Sequence, residues 1–168
     1  MTDFDEFVAA NVDGLLRTAY LIVWDEAEAE DLVQECLLKV AHRWPRIRRM
    51  ERPPAYARRV LVNLTLDGAR GRARRQSELE PGGQEHVIAI DPSAAVDGRV
   101  ELLQALSQLP ARQRAVLVLR YFNDLTEADV AEVLGCSLGT VKSSASRGLA
   151  RLREVLQPIQ PHQGAATQ

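Results

Sequence analysis

Glu28, Asp31 and Glu35 recur at helical spacing with Gln34 beside them, so a helix would carry three carboxylates along one side. Paired carboxylates can act as general acid and base. Catalysis needs further groups, and the chain does not supply them. No nucleophile stands with a base nearby, no glycine loop suits a phosphate, and His42, His86 and His162 are scattered. The reading is of a non-enzyme with no catalytic residue, no metal site and no cofactor. Its acidic helix either binds a basic partner or is simply solvated.

The second group of chemically able residues is basic. Residues 43–75 hold 11 arginines against 2 acids, a balance of +9. Polar and aromatic side chains are interleaved: Trp44, Arg46, Arg48, Arg49, Arg52, Tyr56, Arg58, Arg59, Asn63, Arg70, Arg72, Arg74 and Arg75. Arginine grips phosphate through a two-pronged fork. Asparagine can read a base edge, and an aromatic ring can stack on an unpaired base. Arg59, Asn63 and Asp67 recur every four residues and share a helix face. This mixture suits single-stranded or melted DNA better than phosphate clamping alone. For Trp44 and Tyr56 the competing account is core packing.

The third group is TEADVAEVLGCSLGTVKSSASRGL at 126–149, which has the layout of a helix-turn-helix. Ala131 is small where two helices approach, and Gly135 sits at the turn. Val130, Leu134, Val141, Ala145 and Leu149 fall on the inner side. Ser137 caps the second helix. Its remaining positions are Leu138, Gly139, Thr140, Lys142, Ser143, Ser146 and Arg147, mostly short, polar or basic. Such a helix suits a DNA major groove, and its N-terminus offers free N–H groups to a phosphate. The bland alternative is a helical hairpin that binds protein.

These groups must be positioned by helices. The chain has 168 residues, 46% of them apolar, enough for one medium domain or two small ones. No apolar run approaches the roughly 18 residues of a membrane span, and the acidic start, Met1 to Glu6, is unlike a secretory signal. A cytoplasmic protein is expected. Helical periodicity runs from Phe4 to Val23 after a capping pair at Thr2 and Asp5. Asp25 and Glu28 cap a second helix, which Pro45 should end. A third follows Pro53-Pro54 to about Arg75. Further helices begin near Val96, after Pro110, after Thr126 and after Ser137, the last reaching Leu156. Val116 to Leu119 is β-prone taken alone, but its neighbours have helical period. Cys36 and Cys136 lack partner spacing and read as buried free thiols.

Charge divides the chain in the same way. Residues 1–42 carry 2 basic and 10 acidic side chains, and residues 76–98 carry 5 acids with no lysine or arginine. The expected fold is all-α: a domain over 1–75, a flexible acidic linker over 76–98, a second domain over 99–157, and a disordered tail over 158–168. The alternating blocks suggest separate surfaces for separate partners.

Together these residues resemble the extracytoplasmic-function sigma factors of the sigma-70 family. AEDLVQE at 29–35 is similar to the segment with which the family docks on core RNA polymerase. The resemblance assigns polymerase contacts to Asp31, Gln34 and Glu35, and Glu28 lies on the same side. RPPAYARRVLVNLTLDGARGRARR at 52–75 resembles the helix that melts and reads the promoter's minus-ten element. Asn63 falls where the family places an asparagine near a flipped-out base. With it, Trp44, Arg49, Tyr56, Arg58, Arg59 and Arg70 form the expected minus-ten set. Residues 109–156 resemble the domain that reads the minus-thirty-five element. There Ser137, Leu138, Thr140, Lys142, Ser143, Ser146 and Arg147 are the expected contacts.

The resemblance implies a factor that binds core polymerase and promoter DNA, is open to control by an anti-sigma protein, and does not enter a membrane. The linker would then thread polymerase's positive channels. Two rivals predict different behaviour. A stand-alone helix-turn-helix regulator needs no acidic docking helix. A non-DNA interaction module would bind promoter DNA no better than random sequence.

Overall fold

The computed structural model describes residues 3–79 and 98–157. Eight α-helices form there, and the described residues contain no strand. In chain order they are α1 Asp3–Val23, α2 Glu26–His42, α3 Trp44–Ile47, α4 Pro53–Leu79, α5 Arg99–Ser107, α6 Ala111–Leu117, α7 Glu127–Leu134 and α8 Leu138–Leu156. A wider π-helical turn, Val118–Phe122, extends α6.

Local chemistry sets most boundaries. The Asp25 carboxylate accepts the Glu28 amide at 2.8 Å and starts α2. That helix stops at His42, earlier than Pro45. Proline at the second position of a helix needs no N–H partner, so Pro45 opens the short α3 instead of ending α2. Trp44 therefore starts α3. The helix α4 continues a turn past Arg75, into residues assigned to the linker, because Gln76 to Leu79 contains no helix breaker. The rest of that linker, the Thr2 cap, the start near Val96 and the tail from Pro158 lie outside the described residues.

Two apolar clusters hold the helices. The first joins Phe7, Leu15, Ala19 and Val23 of α1 to Val33, Cys36 and Val40 of α2, Ile47 of α3, and Ala57 and Leu61 of α4. Cys36 is a free thiol that donates to the Ala57 carbonyl at 3.2 Å, and burial pushes its pKa up to about 12. It is a packing residue and a poor nucleophile at neutral pH. The second cluster holds the interior of α5 to α8, from Leu106 and Val116 to Val130, Val141 and Leu152.

That second cluster also takes in Leu21 and Ile22 from the end of α1, Trp24 just past it, and Val62 and Leu66 from α4. The two helical units expected from the sequence thus share apolar packing across their boundary.

Inside the second unit, Gly148 sets how closely α8 approaches its neighbours. A Cβ at that position would lie 3.0 Å from Leu117 Cδ1 and 3.2 Å from Leu109 Cδ2. Overpacking of this kind costs about 1–3 kcal/mol. Gly148→Val should lower unfolding stability by about that amount, read as a shift in the urea midpoint at unchanged slope.

Candidate nucleic-acid interface

The helix-turn-helix is built by three local devices. Thr126 and Asp129 form a capping box: the Thr126 hydroxyl accepts the Asp129 amide at 3.1 Å, and the Asp129 carboxylate accepts the Thr126 amide at 3.4 Å. Gly135 closes α7 at φ +62°, a conformation that side chains resist. Ser137 Oγ then accepts the Thr140 amide at 3.1 Å and starts α8.

Packing decides which side of α8 is free. Val141, Ser144, Gly148 and Leu152 are buried, and Ala145 and Leu149 lean on the core. Ser137, Leu138, Gly139, Lys142, Ser146 and Arg147 are exposed, while Thr140 and Ser143 are half-buried. The seven expected contacts therefore gather around one outer side near the helix start. Among the described residues Lys142 is held only by Glu127 at 4.0 Å, with both side chains solvated. Buried Ser144 and tightly packed Gly148 had no local signal beyond their place on the helix.

The long helix α4 sorts its polar residues in the same way. Arg59, Asn63, Asp67, Arg70 and Arg74 are all exposed, at intervals of four, four, three and four residues. They form one continuous stripe, along which Arg70 meets Asp67 at 3.7 Å. Arg49 is exposed in the preceding turn, whereas Tyr56 and Arg58 are half-buried. The Tyr56 hydroxyl accepts from Arg43 at 3.3 Å. Burial pushes the Arg58 pKa down, and the nearby Asp129 carboxylate opposes that shift.

Trp44 sits apart from this stripe. Its ring packs against Phe4 and Phe7, with centroids 5.2 and 4.8 Å away, and its indole nitrogen is buried without a partner. Its packing makes it a core residue of the first unit.

The acidic side belongs to a different element, α2. Asp31, Gln34 and Glu35 are exposed, and Glu35 holds Lys39 at 3.4 Å. Glu28 differs from them: it is half-buried and ion-paired with Arg72 of α4. Gln34 borders an apolar groove made by Phe4, Val8, Leu37, Leu38 and Ala41, beside which Leu38 is 63% exposed. An isolated exposed leucine has no sequence signature, since Leu37 and Leu38 read as equal members of the stripe.

No group of histidine, cysteine, aspartate and glutamate suited to a metal forms among the described residues, and no described helix is long and apolar enough to cross a membrane.

Residues 7–75 match the family described as Sigma-70 region 2, and residues 99–152 match that described as Sigma-70, region 4. The RNA polymerase sigma-E factor of Streptomyces avermitilis is 38% identical over 156 residues, covering 92% of this chain and 86% of its own. The ECF RNA polymerase sigma factor SigL of Mycobacterium tuberculosis is 34% identical over 160 residues, covering 93% of this chain and 88% of its own. In three dimensions the chain is similar to the sigma factor RpoE of Bartonella quintana, solved in complex with the anti-sigma factor NepR. That likeness has a TM-score of 0.76 at 26% identity and covers 95% of this chain and all of the other. Two matched regions in the right order, near-complete coverage and an all-helical fold agree: the chain belongs to the extracytoplasmic-function sigma factors of the sigma-70 family, which direct transcription initiation by RNA polymerase.

Proposed function

We propose a division of labour among three faces. The exposed carboxylates Asp31 and Glu35, with Gln34, dock the chain on core RNA polymerase. The exposed stripe of Arg59, Asn63 and Arg70 on α4, flanked by Arg49, Tyr56 and Arg58, takes the melted minus-ten strand. The outer side of α8, from Ser137 to Arg147, enters the major groove of the minus-thirty-five element. Glu28 supports the docking face from beneath by tying α2 to α4. Trp44 supports the minus-ten face through the core.

The observation that carries this reading is the segregation of charge. One short chain presents an acidic side on α2, a basic polar stripe on α4 and a polar groove-reading side on α8, each exposed and each on a different element. Such faces do binding and no covalent chemistry. The chain acts in the cytoplasm, where the polymerase is, without a cofactor or a metal. The RpoE–NepR complex supports an anti-sigma protein as a further partner.

The minus-ten assignment is tested by titrating the non-template strand of a promoter against the chain loaded on core polymerase. Asn63→Ala should cost about 1–3 kcal/mol and relax preference at a single base. Arg59→Ala should weaken all sequences alike. Equal loss of all sequences with Asn63→Ala would place the asparagine on the backbone and refute its reading of a base.

A further inference from the structure

We propose that Leu138 determines specificity in α8 by seating against the C5-methyl group of a thymine in the major groove of the minus-thirty-five element. The proposal deepens the DNA role given to α8 above and rests on it.

The start of α8 has few hydrogen-bonding groups to offer a base. A hydroxyl carries one proton, and most of the protons there are engaged inside the helix. Ser143 Oγ donates to the Thr140 carbonyl at 3.1 Å. Ser137 Oγ accepts the Thr140 amide at 3.1 Å and lies 2.9 Å from Thr140 Oγ1, so one of these two hydroxyls donates to the other. Three hydroxyls thus leave a single proton for a partner. The other side chains on the outer side are Leu138, Lys142, Ser146 and Arg147, and all four are exposed.

Leu138 is the apolar member of this set. It is 44% exposed and joins neither apolar cluster. Single exposed leucines are common on protein surfaces, and what distinguishes this one is its place. It is the first residue of α8, and a recognition helix meets base edges with its N-terminal residues. Its position is fixed by the Ser137 cap before it and by the Val141 amide, which donates to the Ser137 carbonyl at 3.2 Å. Lys142 lies one turn further along the same side, where its solvated ammonium can hold a phosphate beside the groove.

Space for a base pair lies next to Leu138. By helical period Gly139, Ser143 and Ser146 separate it from Arg147, and all three are small. A Cβ on Gly139 would meet Ser137 Oγ at 3.8 Å, an ordinary contact, so packing within the described residues does not require glycine there. A small side chain at that point lets the helix come close to the groove floor.

Chemistry then selects the base. In the major groove adenine, guanine and cytosine present only hydrogen-bonding atoms, whereas thymine adds a methyl group. Leucine laid over donors and acceptors removes their water without replacing it. Laid over a methyl group, it takes two apolar surfaces out of water together.

The test uses the full chain loaded on core RNA polymerase and a promoter duplex that this complex selects from a random pool. Each thymine of the minus-thirty-five segment, on both strands, is replaced in turn by deoxyuridine, which removes the methyl group and keeps the base pair. With the unaltered chain, deoxyuridine at one position should weaken binding about fourfold, the effect of one buried methyl group. Leu138→Ala should weaken binding to the thymine duplex by a similar factor and make that same deoxyuridine substitution silent. Its thermal melt should match that of the unaltered chain, since alanine is a good helix former and the leucine is exposed. The thymine contact is overturned if no deoxyuridine substitution affects the unaltered chain, or if the fourfold loss persists with Leu138→Ala. The salt dependence of a Lys142→Ala, Arg147→Ala variant on the same duplex separates the two levels of the account. A flattened slope beside either of those results keeps α8 on DNA and refutes the role of Leu138 alone. An unchanged slope refutes the DNA reading of α8, and the thymine contact with it.

Discussion

Asp31→Arg combined with Glu35→Arg should abolish association with core RNA polymerase while leaving the helical circular-dichroism signal intact. Both carboxylates are exposed, and among the described residues the only ion pair they make is the solvated one between Glu35 and Lys39. Such pairs contribute about 0.3–0.5 kcal/mol, so the fold tolerates the change. Reversed charge against a basic partner costs several kcal/mol, so association measured by co-elution should fall by roughly a hundredfold or more. Glu28 is the wrong residue for this test. Its pairing with Arg72 joins α2 to α4, so its reversal would disturb packing and confuse the two effects. Undiminished association of the double variant would remove the docking face.

The second large effect is expected at α8. Replacing Lys142 and Arg147 with alanine should weaken promoter binding and flatten its salt dependence. Each lost phosphate contact removes roughly one unit from the slope of log affinity against log salt, so both together remove about two. The two side chains are exposed, and among the described residues Lys142 pairs only with Glu127, at the limit of an ion pair. Stability should therefore hardly move, which separates this result from misfolding. An unchanged slope would mean that α8 faces something other than DNA.

The parts of the molecule legible in sequence are those set by neighbours in the chain. Thr126, Asp129, Gly135 and Ser137 act within one turn of themselves, and the helix-turn-helix boundaries follow from them directly. The exposed side of α8 follows from helical period, because Val141, Ala145 and Leu149 must face inward. The same period puts Arg59 and Asn63 on one stripe. Pro45 was legible in type and misleading in place, since proline both ends one helix and starts another.

What the sequence hid depends on contacts between distant residues. Arg114 reads as an ordinary helix arginine, yet it reaches a carbonyl 92 positions away, and burial pushes its pKa down to about 10, still charged at neutral pH. Asn123 reads as a turn residue, yet it meets Thr18. Trp44 was open between stacking on a base and packing in the core. Its packing against Phe4 and Phe7 joins residues far apart in the chain, which local periodicity does not report. The shared core follows from Leu21, Ile22, Val62 and Leu66, each of which could equally have closed a single small unit.

The most direct test of the central claim is reconstitution of the purified chain with core RNA polymerase on a template carrying the promoter ahead of its own gene. The account predicts co-elution of chain and core, and a run-off transcript of one length that is absent with core alone. A chain that binds the promoter duplex yet neither co-elutes with core nor supports a transcript would contradict it.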